Sequence, residues 1–134
     1  TREALLLNHS VASGGVSGIR FYELTNAANQ TLSSAAPVMR QQGTYQPSAD
    51  YRWMGSAAMD KTGGVAIGYN ISNATTIKPG VQTGNNLSRW GDYSTLSVDP
   101  VDGCTMVFTT EYIPANGSFN WATAIFSFKL SSCQ

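Results

Sequence analysis

The stretch Arg52-Trp53-Met54-Gly55-Ser56-Ala57-Ala58-Met59-Asp60-Lys61-Thr62-Gly63-Gly64-Val65-Ala66-Ile67-Gly68-Tyr69 reads as two short strands joined by a tight glycine turn. It can be laid over Arg89-Trp90-Gly91-Asp92-Tyr93-Ser94-Thr95-Leu96-Ser97-Val98-Asp99-Pro100-Val101-Asp102-Gly103-Cys104-Thr105-Met106-Val107-Phe108. Both copies run Arg-Trp, strand, Asp, Gly turn, apolar strand. Arg52 and Arg89 are 37 positions apart, and Asp60 and Asp99 are 39 apart. An Asp at the head of a tight turn can accept backbone N–H groups that the bend leaves unpaired, so Asp60 and Asp99 are expected to be structural turn residues.

Working outward, helical periodicity is nearly absent, while short runs rich in β-branched and aromatic residues recur between Gly, Asn, Asp and Pro clusters. The chain is expected to be all-β and antiparallel. Strands are predicted at Ala4–Val11, Gly18–Thr25, Ala36–Gln41, Trp53–Asp60, Val65–Ile71, Tyr93–Asp99, Thr105–Tyr112 and Thr123–Leu130. Turns are predicted at Ala12–Ser17, Lys61–Gly64 and Pro100–Gly103, and surface loops at Asn26–Ala36 and Ser72–Ser88. A degenerate third start, Arg20-Phe21-Tyr22-Glu23, lies 32 positions before Arg52. A period of this size is that of a four-stranded propeller blade, and about three blade-lengths fit, at 1–36, 37–88 and 89–134.

Lys plus Arg and Asp plus Glu are both 8, and charged residues are only 12%. No field exists to gather nucleic acid or anionic lipid, so nucleic-acid partners are excluded. A hydrophobic content of 42% is that of a folding chain, and 134 residues hold one core. No stretch approaches the run of apolar residues needed to span a membrane. Cys104 and Cys133 lie 29 positions apart, outside any CxxC or Cys/His cluster. They read as a disulfide, against two buried free thiols. Sequons at Asn8, Asn29, Asn70, Asn73, Asn86 and Asn116 exceed chance and are candidate N-glycosylation sites. Both signs point to a secreted, extracellular protein. The first residues, Thr1-Arg2-Glu3 followed by Ala4 to Leu7, do not read as a signal peptide, so the chain is expected to be a mature product or a fragment of something longer.

Several segments resemble secreted bacterial β-propellers of the Asp-box, or sialidase-like, group. They are Leu7-Asn8-His9-Ser10-Val11, Ile19-Arg20-Phe21-Tyr22-Glu23-Leu24, Gln41-Gln42-Gly43-Thr44-Tyr45, Arg52-Trp53-Met54-Gly55-Ser56, Arg89-Trp90-Gly91-Asp92-Tyr93-Ser94, Val98-Asp99-Pro100-Val101-Asp102, Thr110-Glu111-Tyr112 and Ser127-Phe128-Lys129-Leu130. The resemblance implies the C-terminal blades of a propeller, with the late cysteines fastening the last blade. In the family, further blades usually come first, and the connection from Tyr69 to Trp90 is longer. Three blades make an incomplete ring, because a propeller needs at least about four. Association with other copies, or with a companion chain from the same precursor, is therefore expected.

Sialidases hold a substrate carboxylate with an arginine cluster and cleave with a Tyr/Glu pair plus an acidic residue, which casts Arg20, Arg52 and Arg89 as candidate ligand-binding residues, with Glu111-Tyr112 in the part of the pair and Asp92 in that of the acid. The matching motif is not a sialidase catalytic set, and an Arg before a Trp more often pairs with a carboxylate or stacks on a ring. No catalytic residue is assigned. His9 is the only histidine and assembles no triad. Asp92, Asp99 and Asp102 match no EF-hand spacing, so no cofactor or metal is expected, with structural calcium the alternative weighed. Trp53, Trp90 and Trp121 could stack sugars but read mainly as core between repeats. The expected function is a non-catalytic extracellular module for assembly, adhesion or glycan binding. The alternatives are a subunit or remnant of a sialidase-like glycoside hydrolase and a self-associating scaffold or fibre.

Overall fold

A computed structural model describes residues 3–26, 36–72, 93–112, 114 and 121–134. Eight strands follow in chain order: β1 (Ala4–Ser13), β2 (Val16–Thr25), β3 (Val38–Tyr45), β4 (Tyr51–Met59), β5 (Val65–Ser72), β6 (Ser94–Val98), β7 (Met106–Tyr112) and β8 (Ala122–Phe128). They form three antiparallel sheets, β1-β2-β3, β4-β5 and β6-β7-β8. Among the described residues there is no helix, and hence none long and apolar enough to cross a membrane.

All eight strands overlap the runs expected from the sequence, and the largest displacement is in β3. Composition stops that strand at Gln41, whereas it runs on through Gln42, Gly43 and Thr44 to Tyr45. Gln and Gly are poor strand formers alone, but pairing from Ile19 opposite Tyr45 to Phe21 opposite Gly43 supplies the ladder bonds. Consequently β3 belongs with β1 and β2, and the division at residue 36 falls inside the first sheet. The sheets also differ from the four-stranded expectation: three, two and three strands are seen among the described residues, with no closure into a ring.

Alternation decides what each sheet buries. In β7, Met106, Phe108 and Thr110 are buried while Val107, Thr109 and Glu111 are less so. Phe108 and Met106 join Ala58 and Leu96 in the core between the second and third sheets, with Ala66, Val98 and Leu130 packed around them. Burying each of the two large side chains stabilises by about 1.5 to 3 kcal/mol. The approach is close enough to require a missing side chain: a Cβ on Gly68 would run into the Phe108 ring at Cε2. On the other side, Ile19 of β2 packs on Gly55 of β4. The sheets therefore stack in chain order, with β4 in contact with β1 and β2 on one side and with β6 on the other.

Candidate functional site

The polar chemistry concentrates at the seams between sheets. At the centre of β4 the register shifts between Trp53 and Ser56, and Met54 takes a left-handed φ of 54°. The bulge turns backbone groups away from β5 and toward the neighbouring sheets. Asn8 of β1 donates from Nδ2 to Gly55 O at 2.6 Å, and its Oδ1 accepts from Ala57 N at 3.1 Å. From the third sheet, Ser94 Oγ donates to Met54 O at 2.7 Å, and Leu96 N donates to Ser56 Oγ at 2.8 Å. Asn70 extends the seam, donating to Glu111 O at 2.9 Å and accepting from Thr110 Oγ1 at 3.1 Å. Sequence reading missed this lattice because the bulge carries no local signature. Both described sequon asparagines turn out to be mortar between sheets. A sugar on either Nδ2 would sit in an inter-sheet contact, which removes Asn8 and Asn70 from the simple surface acceptors. Asn29, Asn73, Asn86 and Asn116 lie outside the described residues.

The arginines do not converge. Arg20 lies on the face of β2 that points away from β4, opposite to Ile19. It donates to Thr44 Oγ1 at 3.1 Å and to Gln42 Oε1, and its guanidinium stands 5.3 Å from the Tyr22 ring centroid. His9 stacks on the same tyrosine at 5.8 Å, and its Nε2 meets the hydroxyl at 3.2 Å. Arg52 is 3% exposed. Its guanidinium lies 5.8 Å from the ring of Tyr45 and 5.7 Å from that of Tyr69, and donates to Asp50 O at 2.9 Å and Ser48 Oγ at 2.7 Å. The Tyr69 hydroxyl beside it raises the pKa of Tyr45. Arg52 thus ties the loop to the strand and stacks beside two rings, the alternative weighed for it in the sequence. Glu111 and Tyr112 are consecutive in β7, so their side chains leave opposite faces of the sheet and do not form a pair. Arg89 and Asp92 lie outside the described residues, as does Trp90.

The acids at the turns are occupied. Asp60 is 4% exposed. Its Oδ1 accepts from Thr62 N at 2.8 Å, Thr62 Oγ1 at 2.7 Å and Gly64 N at 2.8 Å. The Thr62 hydroxyl and the turn amides hold its carboxyl below the usual range. Asp99 accepts one side-chain bond, from Val101 N at 2.8 Å. Asp102 does more: it accepts from Cys104 N and Thr105 N at 2.8 Å and Thr105 Oγ1 at 2.6 Å, and pairs with Lys129 Nζ at 2.8 Å. Lys129 first, then Thr105, depress its pKa strongly. Cys104 and Cys133 are joined in a disulfide, so the pairing reading holds and the thiol reading falls. Among the described residues no cluster of His, Cys, Asp and Glu is arranged to hold a metal ion.

A shallow groove of about 440 Å³ lies at the β1–β2 turn, walled by Val11, Val16 and Tyr51 among others, with no carboxylate or imidazole in its lining. The outward face of the first sheet carries Leu5 and Leu7, 45% and 44% exposed, with Tyr22, Leu24 and Met39 beside them. Trp53 is half-buried and Trp121 is exposed. Comparisons with protein-family models, with curated proteins and with solved structures found no match.

Proposed function

We propose that this chain is a propeller-type extracellular module that works by assembly or adhesion, not by chemistry. The observation that carries the reading is the serial stack: three antiparallel sheets packed in chain order, the first strands β1, β4 and β6 side by side, with Leu5, Leu7 and Met39 exposed on the outer face of the first sheet and no described strand covering it. Stacked sheets of this kind are the elements of a propeller, and a stack that does not close leaves faces for other protein to cover. The disulfide fits an oxidising compartment, which supports secretion. The likeness to Asp-box, sialidase-like propellers is retained as part of this reading, supported by Asp60 and Asp99 standing at equivalent hairpin turns. A glycan ligand is one partner to be tried.

The hydrolase alternative draws less support, because Arg20 points out of the stack while Arg52 is enclosed within it. Sedimentation of the full chain over a wide concentration range tests the proposal. Species heavier than 14.3 kDa, weakened by Leu7→Asp on the open face, are expected. A monomer at every concentration, with no partner recovered from an array of glycans or from cell surfaces, would sink it.

A further inference from the structure

We propose that β8 is the seam of a two-fold dimer, pairing antiparallel with β8 of a second copy in the register centred on Ile125. This inference rests on the assembly reading and names the edge and the partner. β8 closes the third sheet, hydrogen bonded to β7 on one side and, among the described residues, to no strand on the other. Edge strands are normally guarded by charge, proline or a bulge. The seven residues Ala122-Thr123-Ala124-Ile125-Phe126-Ser127-Phe128 contain none of these. The charge that follows, Lys129, is held by Asp102 at 2.8 Å. Ile125 is 69% exposed, Phe126 54% and Phe128 38%. An uncharged, proline-free, β-favouring heptad on an open edge is built to accept another strand.

The sequence of β8 also selects its own partner. Ala122, Ala124, Phe126 and Phe128 share the face of Met106, Phe108 and Thr110, and Thr123, Ile125 and Ser127 share the other. Antiparallel pairing about Ile125 sets Ala122 opposite Phe128, Ala124 opposite Phe126, Thr123 opposite Ser127 and Ile125 opposite itself. Each large ring then lies beside a methyl, hydroxyl meets hydroxyl, and the two isoleucines meet at the axis. A slip of two residues either way leaves two residues of each strand unpaired and sets Ile125 against Thr123 or Ser127. The Phe108–Phe126 stack, with centroids 6.5 Å apart, would continue across the seam into the second copy. Because the strand pairs with itself, the contact is isologous and closes at two copies.

Sedimentation equilibrium on the full chain and an engineered cross-link test this together. The wild type is expected to form dimers of 14.3 kDa subunits. Ile125→Lys, on a side chain already largely in solvent, should weaken the dimer at least tenfold with an unchanged far-ultraviolet spectrum. Ile125→Cys should oxidise to a covalent dimer through Cys pairs mapped by peptide mass, while Val101→Cys, at a turn position 91% exposed, should not. The cross-link stands as a test even if Ile125→Lys fails to fold. Association that survives Ile125→Lys, a cross-link no faster than at position 101, or open-ended filaments would overturn the seam while leaving the assembly reading in place. A wild type that stays monomeric would overturn the seam as well, and the adhesion reading would then stand or fall on the glycan and cell-surface assays.

Discussion

The hairpins β4–β5 and β6–β7 carry the two copies of the sequence repeat, and they solve the same turn differently. In the first, one oxygen of one buried carboxylate gathers three donors, so the side-chain bonds of the turn converge on Asp60. In the second, the aligned Asp99 keeps one side-chain bond, and the load passes to Asp102 three residues on. Asp102 also reaches Lys129 after β8, and its neighbour Cys104 is bonded to Cys133. The turns touch, with Lys61 N donating to Gly103 O at 2.8 Å. A repeat in sequence has thus been kept as a repeat in topology, while the forces that hold it have moved from a local cap to a tie with the C-terminal segment. The side-chain bonds of the internal turn all come from within it, whereas the last sheet is fastened to the segment that follows β8.

That contrast can be broken most sharply at the disulfide. Replacing Cys104 and Cys133 together by Ala should lower stability by about 3 to 4 kcal/mol, the chain-entropy value for a loop of this length. Denaturant unfolding measures the loss, and hydrogen exchange should localise the loosening to the 102–105 turn and β8 ahead of the 60–64 turn. Equal loosening of both turns would mean that the two hairpins share one tie. Next in size is Asp60→Ala, which leaves three donors unserved at a buried site and is expected to cost about 2 to 3 kcal/mol. Asp99→Ala, losing one partly exposed bond, should cost about 1 kcal/mol or less. Should the two substitutions cost the same, the distinction between a buried cap and a surface one fails.

The packing between the hairpins is the next target. Gly68→Ala puts a methyl against the Phe108 ring, and overpacking of this kind costs about 1 to 3 kcal/mol. Phe108→Leu should relieve part of it, so that the double variant is more stable than additivity allows. Strict additivity in thermal unfolding would show that the strands part without involving that ring.

The sequence carried the strands well and the seams poorly. Eight runs were legible because alternation and β-branched content are local, and Asp60 with its turn was legible because an Asx turn spans only a few residues. The Cys pair was readable from spacing alone. Asn8, by contrast, is a sequon in the chain and an inter-sheet bridge in the fold, because its partners Gly55 and Ala57 lie 47 and 49 positions away. For Arg52 the sequence allowed ring stacking in general but could not name the rings, because Tyr45 and Tyr69 come one from each of two sheets. The bulge at Met54, which aims the backbone at both neighbours, is set by a tertiary balance that no window of sequence reports.

The smallest effect lies in acid. Asp60 and Asp102 both have carboxyls held below the range near pH 4 that is usual for an unfolded chain. A depressed folded value means that the native state binds its proton later than the unfolded state, so the stabilisation is complete above about pH 4 and drains away as the pH falls below it. The wild type should therefore lose thermal stability between about pH 4 and about pH 2, and Asp60→Asn should flatten that descent from a lower starting level. Asp102→Asn should flatten it less, since Lys129 and Asp102 are 50% and 33% exposed and their pairing is screened. Added salt should shrink the Asp102 share and spare the Asp60 share, whose donors are turn amides and a hydroxyl. If salt erased both alike, Asp60 would be held by charge rather than by the geometry of its turn, and the contrast between the two hairpins would reduce to one of exposure.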